Sequence, residues 1–159
     1  VTAFRHRPEP DEVARVTSTA AELLEVLWGR ASTAPASASQ LRVLLMLEHH
    51  DGINLRTLAD SLASTPPSTS RLCDRLQAAG FVERVVSPVD RREVRLHLSG
   101  RGRAFLADLR VRRERELRAV LALMPAARRV ALLEGLEAFC DAAATRIHDD
   151  AEDAGSQTA

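Results

Sequence analysis

Apolar residues recur three and four apart through most of the chain, and only one short stretch alternates residue by residue. The first helical pattern runs from Asp11 to Arg30. Val13, Val16, Ala20, Leu23, Leu24 and Leu27 form one side, acids occupy its first turn and Trp28 ends its apolar face. A linker rich in Ala, Ser and Thr follows, and Ser37-x-x-Gln40 is the spacing of a capping box. It opens a helix whose Leu41, Leu44, Leu45 and Leu47 should be largely buried, ending near His49 before an Asp51-Gly52 turn. Asn54, an N-cap type of residue, then precedes Leu55, Leu58, Ala59 and Leu62, which predict a short amphipathic helix to Ala63. Ser64-Thr65-Pro66-Pro67-Ser68 breaks that helix and starts another, with Thr65 available to cap free N–H groups and Pro66 tolerated in the first turn.

The helix predicted from Thr65 to Ala79 has two faces. Thr69, Leu72, Cys73, Leu76 and Ala79 form a stripe for packing on the preceding helix. Ser68, Arg71, Arg75 and Ala78 form a parallel stripe, flanked by Ser70 and Asp74. Gly80 ends the helix, Phe81, Val82, Val85 and Val86 are strand formers, and Ser87-Pro88-Val89-Asp90 supplies turn chemistry. From Glu93 to Leu98 apolar and polar residues alternate, as in a strand with one wet face, so a two-stranded ribbon is expected with Asp90, Arg91 and Arg92 at its tip. Helix, turn, helix and ribbon in this order predict a winged helix-turn-helix. Ser99 caps a long helix from about Arg101 to Leu123, with Phe105, Leu106, Leu109, Leu117, Val120 and Leu121 apolar and a very polar middle. Met124-Pro125 breaks it, and Val130, Leu133, Leu136, Phe139, Cys140, Ala143 and Ile147 give a last helix heptad-like spacing to about Asp149.

The fold expected is therefore mainly α with a small β-wing, a winged helix-turn-helix plus terminal dimerisation helices. Its parts are an N-terminal arm and dimerisation helix over residues 1–36, the winged region over 37–102, C-terminal dimerisation helices over 103–150, and a disordered tail over 151–159. The terminal helices carry apolar stripes that a winged helix does not need. They are expected to bury them against each other and a second subunit, making a homodimer.

Charge sharpens this picture. The 22 basic residues, every one Arg, balance 22 acids, which argues against a uniformly basic coat for nucleic acid. The distribution is uneven: Arg71 to Arg103 holds eight Arg against four acids, a local +4, and Glu134 to Asp153 holds seven acids against one Arg, a local −6. The basic part coincides with the second helix and the ribbon. Arg can pair with guanine O6 and N7, Ser reaches bases or phosphates, and a helix N-terminus favours phosphate. A tip of two arginines suits the negative potential of a narrow minor groove, with Asp90 able to orient one guanidinium. An arginine pair on a helix, or a charged turn, also fits a solvated surface. The tip counts for more because it follows a helix suited to the neighbouring groove. The candidate DNA-binding residues are Thr65, Ser68, Ser70, Arg71, Arg75, Asp90, Arg91 and Arg92.

Leu58-Ala59, the run Ser70-Arg71-Leu72-Cys73-Asp74-Arg75-Leu76, Gly80-Phe81-Val82-Glu83-Arg84, and Asp90-Arg91-Arg92 leading to Leu98-Ser99-Gly100-Arg101-Gly102 resemble the MarR family of bacterial transcriptional regulators. The resemblance extends more weakly from about Glu12 to Ile147. The family more often has Thr where Ser99 stands, and a larger apolar residue where Thr69 stands. The resemblance implies an intertwined homodimer that binds double-stranded DNA, more often as a repressor, and is released by a small aromatic or phenolic effector held between the dimer helices and the winged region. A C2 dimer places two reading helices roughly one DNA turn apart, about 34–36 Å, on a pseudo-palindromic operator.

Other chemistries have weaker support. Some relatives sense oxidation through a cysteine near the first helix, but Cys73 and Cys140 both fall in apolar stripes and read as core. His6, His49, His50 and Asp51 could assemble a metal site, although paired histidines at a helix end also suit the helix dipole. No phosphate loop, paired metal motif or nucleophile elbow is present, so no enzyme, resident metal or cofactor is expected. The N-terminus lacks the apolar run of a signal peptide and no stretch approaches the roughly 18 apolar residues of a membrane span, so a cytoplasmic protein with no membrane partner is expected. The alternative function is a winged-helix adaptor that binds protein rather than DNA. Acidic or apolar residues on the groove face would mark it.

Overall fold

The computed structural model describes residues 9–31, 36–86 and 93–156. The elements are α1 (Pro10–Ala31), α2 (Ala38–His49), β1 (Ile53–Asn54), α3 (Leu55–Ser61), α4 (Pro66–Ala78), β2 (Val82–Val86), β3 (Val94–Leu98), α5 (Gly100–Ala122) and α6 (Ala126–Ser156). This is a mainly α protein with a winged helix-turn-helix at its centre. The expected ribbon is one strand richer, because β1 pairs antiparallel with β3 and makes a three-stranded sheet in the order β1-β3-β2. Two residues are too few for an alternation to register in sequence. The last helix also continues to Ser156, past the 150 boundary expected from its apolar pattern.

Local chemistry starts each central element where the sequence marks it. Ser37 and Gln40 close a reciprocal capping box, with Gln40 N donating to Ser37 Oγ at 3.3 Å and Ser37 N donating to Gln40 Oε1 at 2.8 Å. Asn54 caps α3 by accepting from Thr57 N at 2.8 Å, and its Nδ2 donates to Glu93 Oε1 at 3.4 Å, tying the helix start to the root of the wing. Thr65 departs from expectation. It occupies the N-cap of α4 without a side-chain cap bond, and its hydroxyl instead donates to Ser68 Oγ at 3.0 Å.

The core lies between α2, α3, α4, the sheet and the first half of α5. Val43, Leu44 and Leu47 meet Leu58, Cys73, Leu76, Leu96, Leu98 and Leu106 there, all essentially without solvent contact. Burial of each such aliphatic side chain contributes roughly 1.5–3 kcal/mol, so the α4 stripe is fixed inward far more strongly than its polar face is fixed outward. Two details of the pattern shift. Val43 is buried where Leu41 and Leu45 are only half-buried, and Ala79 is exposed because the helix has ended.

The exit of α4 and the entry of α5 meet at one backbone junction. Gly80 takes φ +75°, its N–H donating to Gln77 O at 2.9 Å while Phe81 N donates to Leu76 O at 2.9 Å, a Schellman closure. Ser99 then returns its N–H to Phe81 O at 3.0 Å and its hydroxyl to Gly80 O at 2.6 Å, while accepting from Gly102 N at 2.9 Å. A Cβ on Gly102 would lie 2.3 Å from Phe81 O, so only glycine permits this approach. The Leu-Ser-x-x-Gly pattern is the sequence of that junction.

Outside the core the terminal helices are strongly apolar yet open. Val16, Leu23 and Val26 of α1 and Val130, Leu133, Leu136 and Phe139 of α6 are each more than half exposed. Cys140 is exposed as well, against the expectation that it is a core residue of this chain. No helix among the described residues is long and apolar enough to cross a membrane.

Thr69 is fully buried and its hydroxyl has no hydrogen-bond partner. A larger or equal apolar group there would avoid the desolvation of an unpaired hydroxyl, roughly 1–3 kcal/mol. Thr69→Val is therefore expected to raise unfolding stability by about 1 kcal/mol or more in urea titrations. A loss of stability would show that the hydroxyl has a native partner.

Candidate nucleic-acid interface

Because Thr69, Cys73 and Leu76 are drawn into the core, the residues between them are forced to the outside of α4. Ser68, Arg71 and Arg75 are exposed there and Ser70 is half-buried at their flank. Thr65 is exposed at the helix start, where its bond to Ser68 Oγ makes the two hydroxyls one polar unit and leaves the Ser68 proton free for another acceptor. Neither Arg71 nor Arg75 has an acidic partner among the described residues. Five of the eight candidate residues, Thr65, Ser68, Ser70, Arg71 and Arg75, thus gather on the first three turns of one helix. The other three, Asp90, Arg91 and Arg92, lie outside the described residues. Their strands are described, and β2 and β3 pair in register from Val82 with Leu98 to Val86 with Val94.

Three interactions around this surface were not legible as pairs in the sequence. Asp74, on α4 between the two arginines, is engaged by Arg84 of β2 at 2.8 Å. Glu48 of α2 takes a forked bond from Arg110 of α5, one arm at 2.9 Å to Oε1 and the other to Oε2. That bond holds the Glu48 carboxyl below its ordinary range although burial opposes it, so α5 is clamped to the winged region in the charged form. His97 Nδ1 lies 3.0 Å from Asp51 Oδ1, which places Asp51 in the β1-β3 corner rather than with His49 and His50. Among the described residues no group of three His, Cys, Asp or Glu is placed to hold a metal ion, and His6 lies outside them.

A cleft of about 480 Å³ opens where α1, α2 and α5 meet, with Trp28, Leu41, Leu45, Phe105, Leu109 and Arg113 in its lining and Glu25 and Arg42 beside them. The Arg113 guanidinium lies over the Trp28 ring, 4.3 Å from its centroid. Both Trp28 Nε1 and Arg113 Nε are buried donors without a protein partner. Burial, followed by the neighbouring Arg110, lowers the pKa of Arg113, as expected for a cation without a counter-charge. Cys73 is the contrasting case: burial pushes its thiol up, which disfavours the oxidisable thiolate.

Comparison with known proteins fits this arrangement. Residues 36–94, from the entry of α2 to the first residue of β3, match the model of the MarR family. Over 100 residues the chain is 30% identical to the uncharacterised HTH-type transcriptional regulator YfiV of Bacillus subtilis, an alignment covering 63% of this chain and 62% of that protein's length. The chain therefore spans less than two thirds of that relative. The crystal structure of RV1404 from Mycobacterium tuberculosis is 31% identical and superposes with a TM-score of 0.71, covering 89% of this chain and 97% of the other. The transcriptional regulator PcaV of Streptomyces coelicolor, solved in complex with its natural ligand, shares the fold at 24% identity and a TM-score of 0.51, over 90% of this chain and 97% of the other.

Proposed function

The chain belongs to the MarR family of transcriptional regulators, and we propose that it binds DNA sequence-specifically as a homodimer and acts as a ligand-responsive repressor at a pseudo-palindromic operator. The observation that carries this reading is the outer face of α4. Ser68, Arg71 and Arg75 are exposed and free of acidic partners on a helix whose opposite face is buried. Such a surface has the donors to read guanine and phosphate, and its one acid, Asp74, is engaged by Arg84, so it lacks the free acidic groups an adaptor face would present. In this reading Arg71 and Arg75 enter the major groove while Thr65, Ser68 and Ser70 contact phosphate or base edges near the helix start. Arg91 and Arg92 take the adjacent minor groove, with Asp90 able to orient one guanidinium.

The dimer is supported by the open apolar faces of α1 and α6. These residues would be costly to leave in water, and a second copy offers an identical surface to cover them. α5 connects those helices to the winged region, so the separation of the two reading helices is governed by how α5 meets α2. The cleft lies at that joint. An aromatic face, an uncompensated cation and two unpaired buried donors suit a small aromatic or phenolic acid, whose ring stacks on Trp28 and whose anion meets Arg113. Occupying it would change the angle between α1, α2 and α5 and with it the spacing of the reading helices.

Two outcomes are expected. In fluorescence-polarisation titrations against a duplex selected from a random library, tight binding should survive excess random competitor. Arg71→Ala should weaken it by roughly 1–3 kcal/mol and relax preference at one base position. Equal weakening on every sequence would make Arg71 a phosphate contact, and no competitor-resistant binding by the wild type would remove the DNA reading. Trp28 is the chain's one tryptophan, so its fluorescence reports on the cleft directly. Hydroxylated benzoates should quench it saturably and lower DNA affinity, and Arg113→Gln should abolish both effects. Quenching that is unchanged in Arg113→Gln would place the ligand elsewhere.

A further inference from the structure

Asp74 is an acid in the wrong place for a DNA-reading surface. It sits one residue before Arg75 and three after Arg71, which puts its carboxylate on the neighbouring rows of the same exposed turns. Three-apart pairs on a helix surface are within reach of one another, so an unengaged Asp74 would draw the Arg71 guanidinium onto itself and would repel phosphate. Here Asp74 is not paired with Arg71. The carboxylate is taken by Arg84, which reaches across from β2 at 2.8 Å, while Arg71 and Arg75 stay without acidic partners.

Arg84 is less exposed than its partner, with 30% of its side chain accessible against 55% for Asp74. Its position is set by the sheet, since Arg84 is paired in register with Leu96, a core residue of β3. The cation is thus delivered from a paired strand, and its position follows from the wing's own register.

We propose that Arg84 is a positioning residue for DNA recognition: it sequesters the Asp74 carboxylate so that Arg71 and Arg75 remain free to engage DNA. This rests on the DNA-binding reading above. It assigns Arg84 a role through Asp74, not a contact of its own with the nucleic acid. The pair also links the wing strand to the reading helix, so a wing that is displaced carries Arg84 away and turns Asp74 into a competitor for the arginines.

The test uses the full-length protein and a duplex recovered by selection from a random library, with binding followed by fluorescence polarisation across a range of salt. Failure of the wild type to enrich any sequence would sink the DNA reading itself, and this proposal with it. Given an enriched duplex, Arg84→Gln should lower affinity roughly five- to tenfold, the low end of what one base-reading arginine supplies. Asp74→Asn should bind as well as the wild type or better. The decisive arm is the double variant: with the carboxylate gone Arg84 is no longer needed, so Arg84→Gln with Asp74→Asn should return to within about threefold of the wild type. A double variant as weak as Arg84→Gln alone would overturn the proposal. A salt slope reduced by about one in both variants that lack Arg84 would identify a direct phosphate contact, and a shared loss of thermal stability would identify a purely structural pair. Either result also contradicts it.

Discussion

The joint formed by Gly80, Phe81, Ser99 and Gly102 is the constraint on which the rest of the molecule depends. It closes α4 with a left-handed glycine, starts β2, caps α5 with a serine hydroxyl that also binds the Gly80 carbonyl, and brings α5 against the Phe81 backbone where only glycine fits. The ends of α4, β2 and α5 are thereby locked to one another by backbone and hydroxyl bonds, with Phe81 packed 5.0 Å from Phe105 beneath them. A rigid connection of this kind matters because α5 is the only covalent route from the winged region to α6. If α4 could pivot about its C-terminus, its polar face would have no fixed direction.

From that joint the division of labour follows. One face of α4 is held inward by Thr69, Cys73 and Leu76, so Arg71 and Arg75 face out without an ion pair among the described residues to place them, and Ser68 faces out bonded to Thr65. The wing grows from strands whose register is fixed by Leu96 and Leu98 in the core. The forked Glu48–Arg110 bond fastens α5 to α2, one residue along α5 from Leu109 of the cleft that holds Trp28 and Arg113. A ligand entering there acts beside the clamp that sets the angle of the reading head, which is how a small molecule could be felt at a DNA surface it never touches.

Much of this was legible in the sequence because the governing signals are local. Helical spacing located the helices, Ser37, Asn54 and Ser99 marked their starts, Gly80 marked an end, and the division of α4 into two faces followed from residues three and four apart. The Asp74 and Arg84 pair, the Glu48 and Arg110 fork and the Trp28 and Arg113 stack were not legible, because each joins elements whose relative placement depends on the packed core. β1 was missed because two residues carry no period. Thr65 shows the limit of a local rule. Its residue type suits a cap, but its hydroxyl is bonded to Ser68, a neighbour on the groove face. The open stripes of α1 and α6 were read correctly as apolar, while Cys140 was assigned to a core that a single chain does not provide.

The most direct measurement is a hydroxyl-radical footprint of the full-length protein on a duplex recovered by selection. The account predicts two protected patches on one side of the DNA, related by two-fold symmetry and centred roughly 34–36 Å apart, as two copies of α4 in successive major grooves would leave. A single patch, or uniform protection without symmetry, would contradict a dimer that reads DNA through that helix.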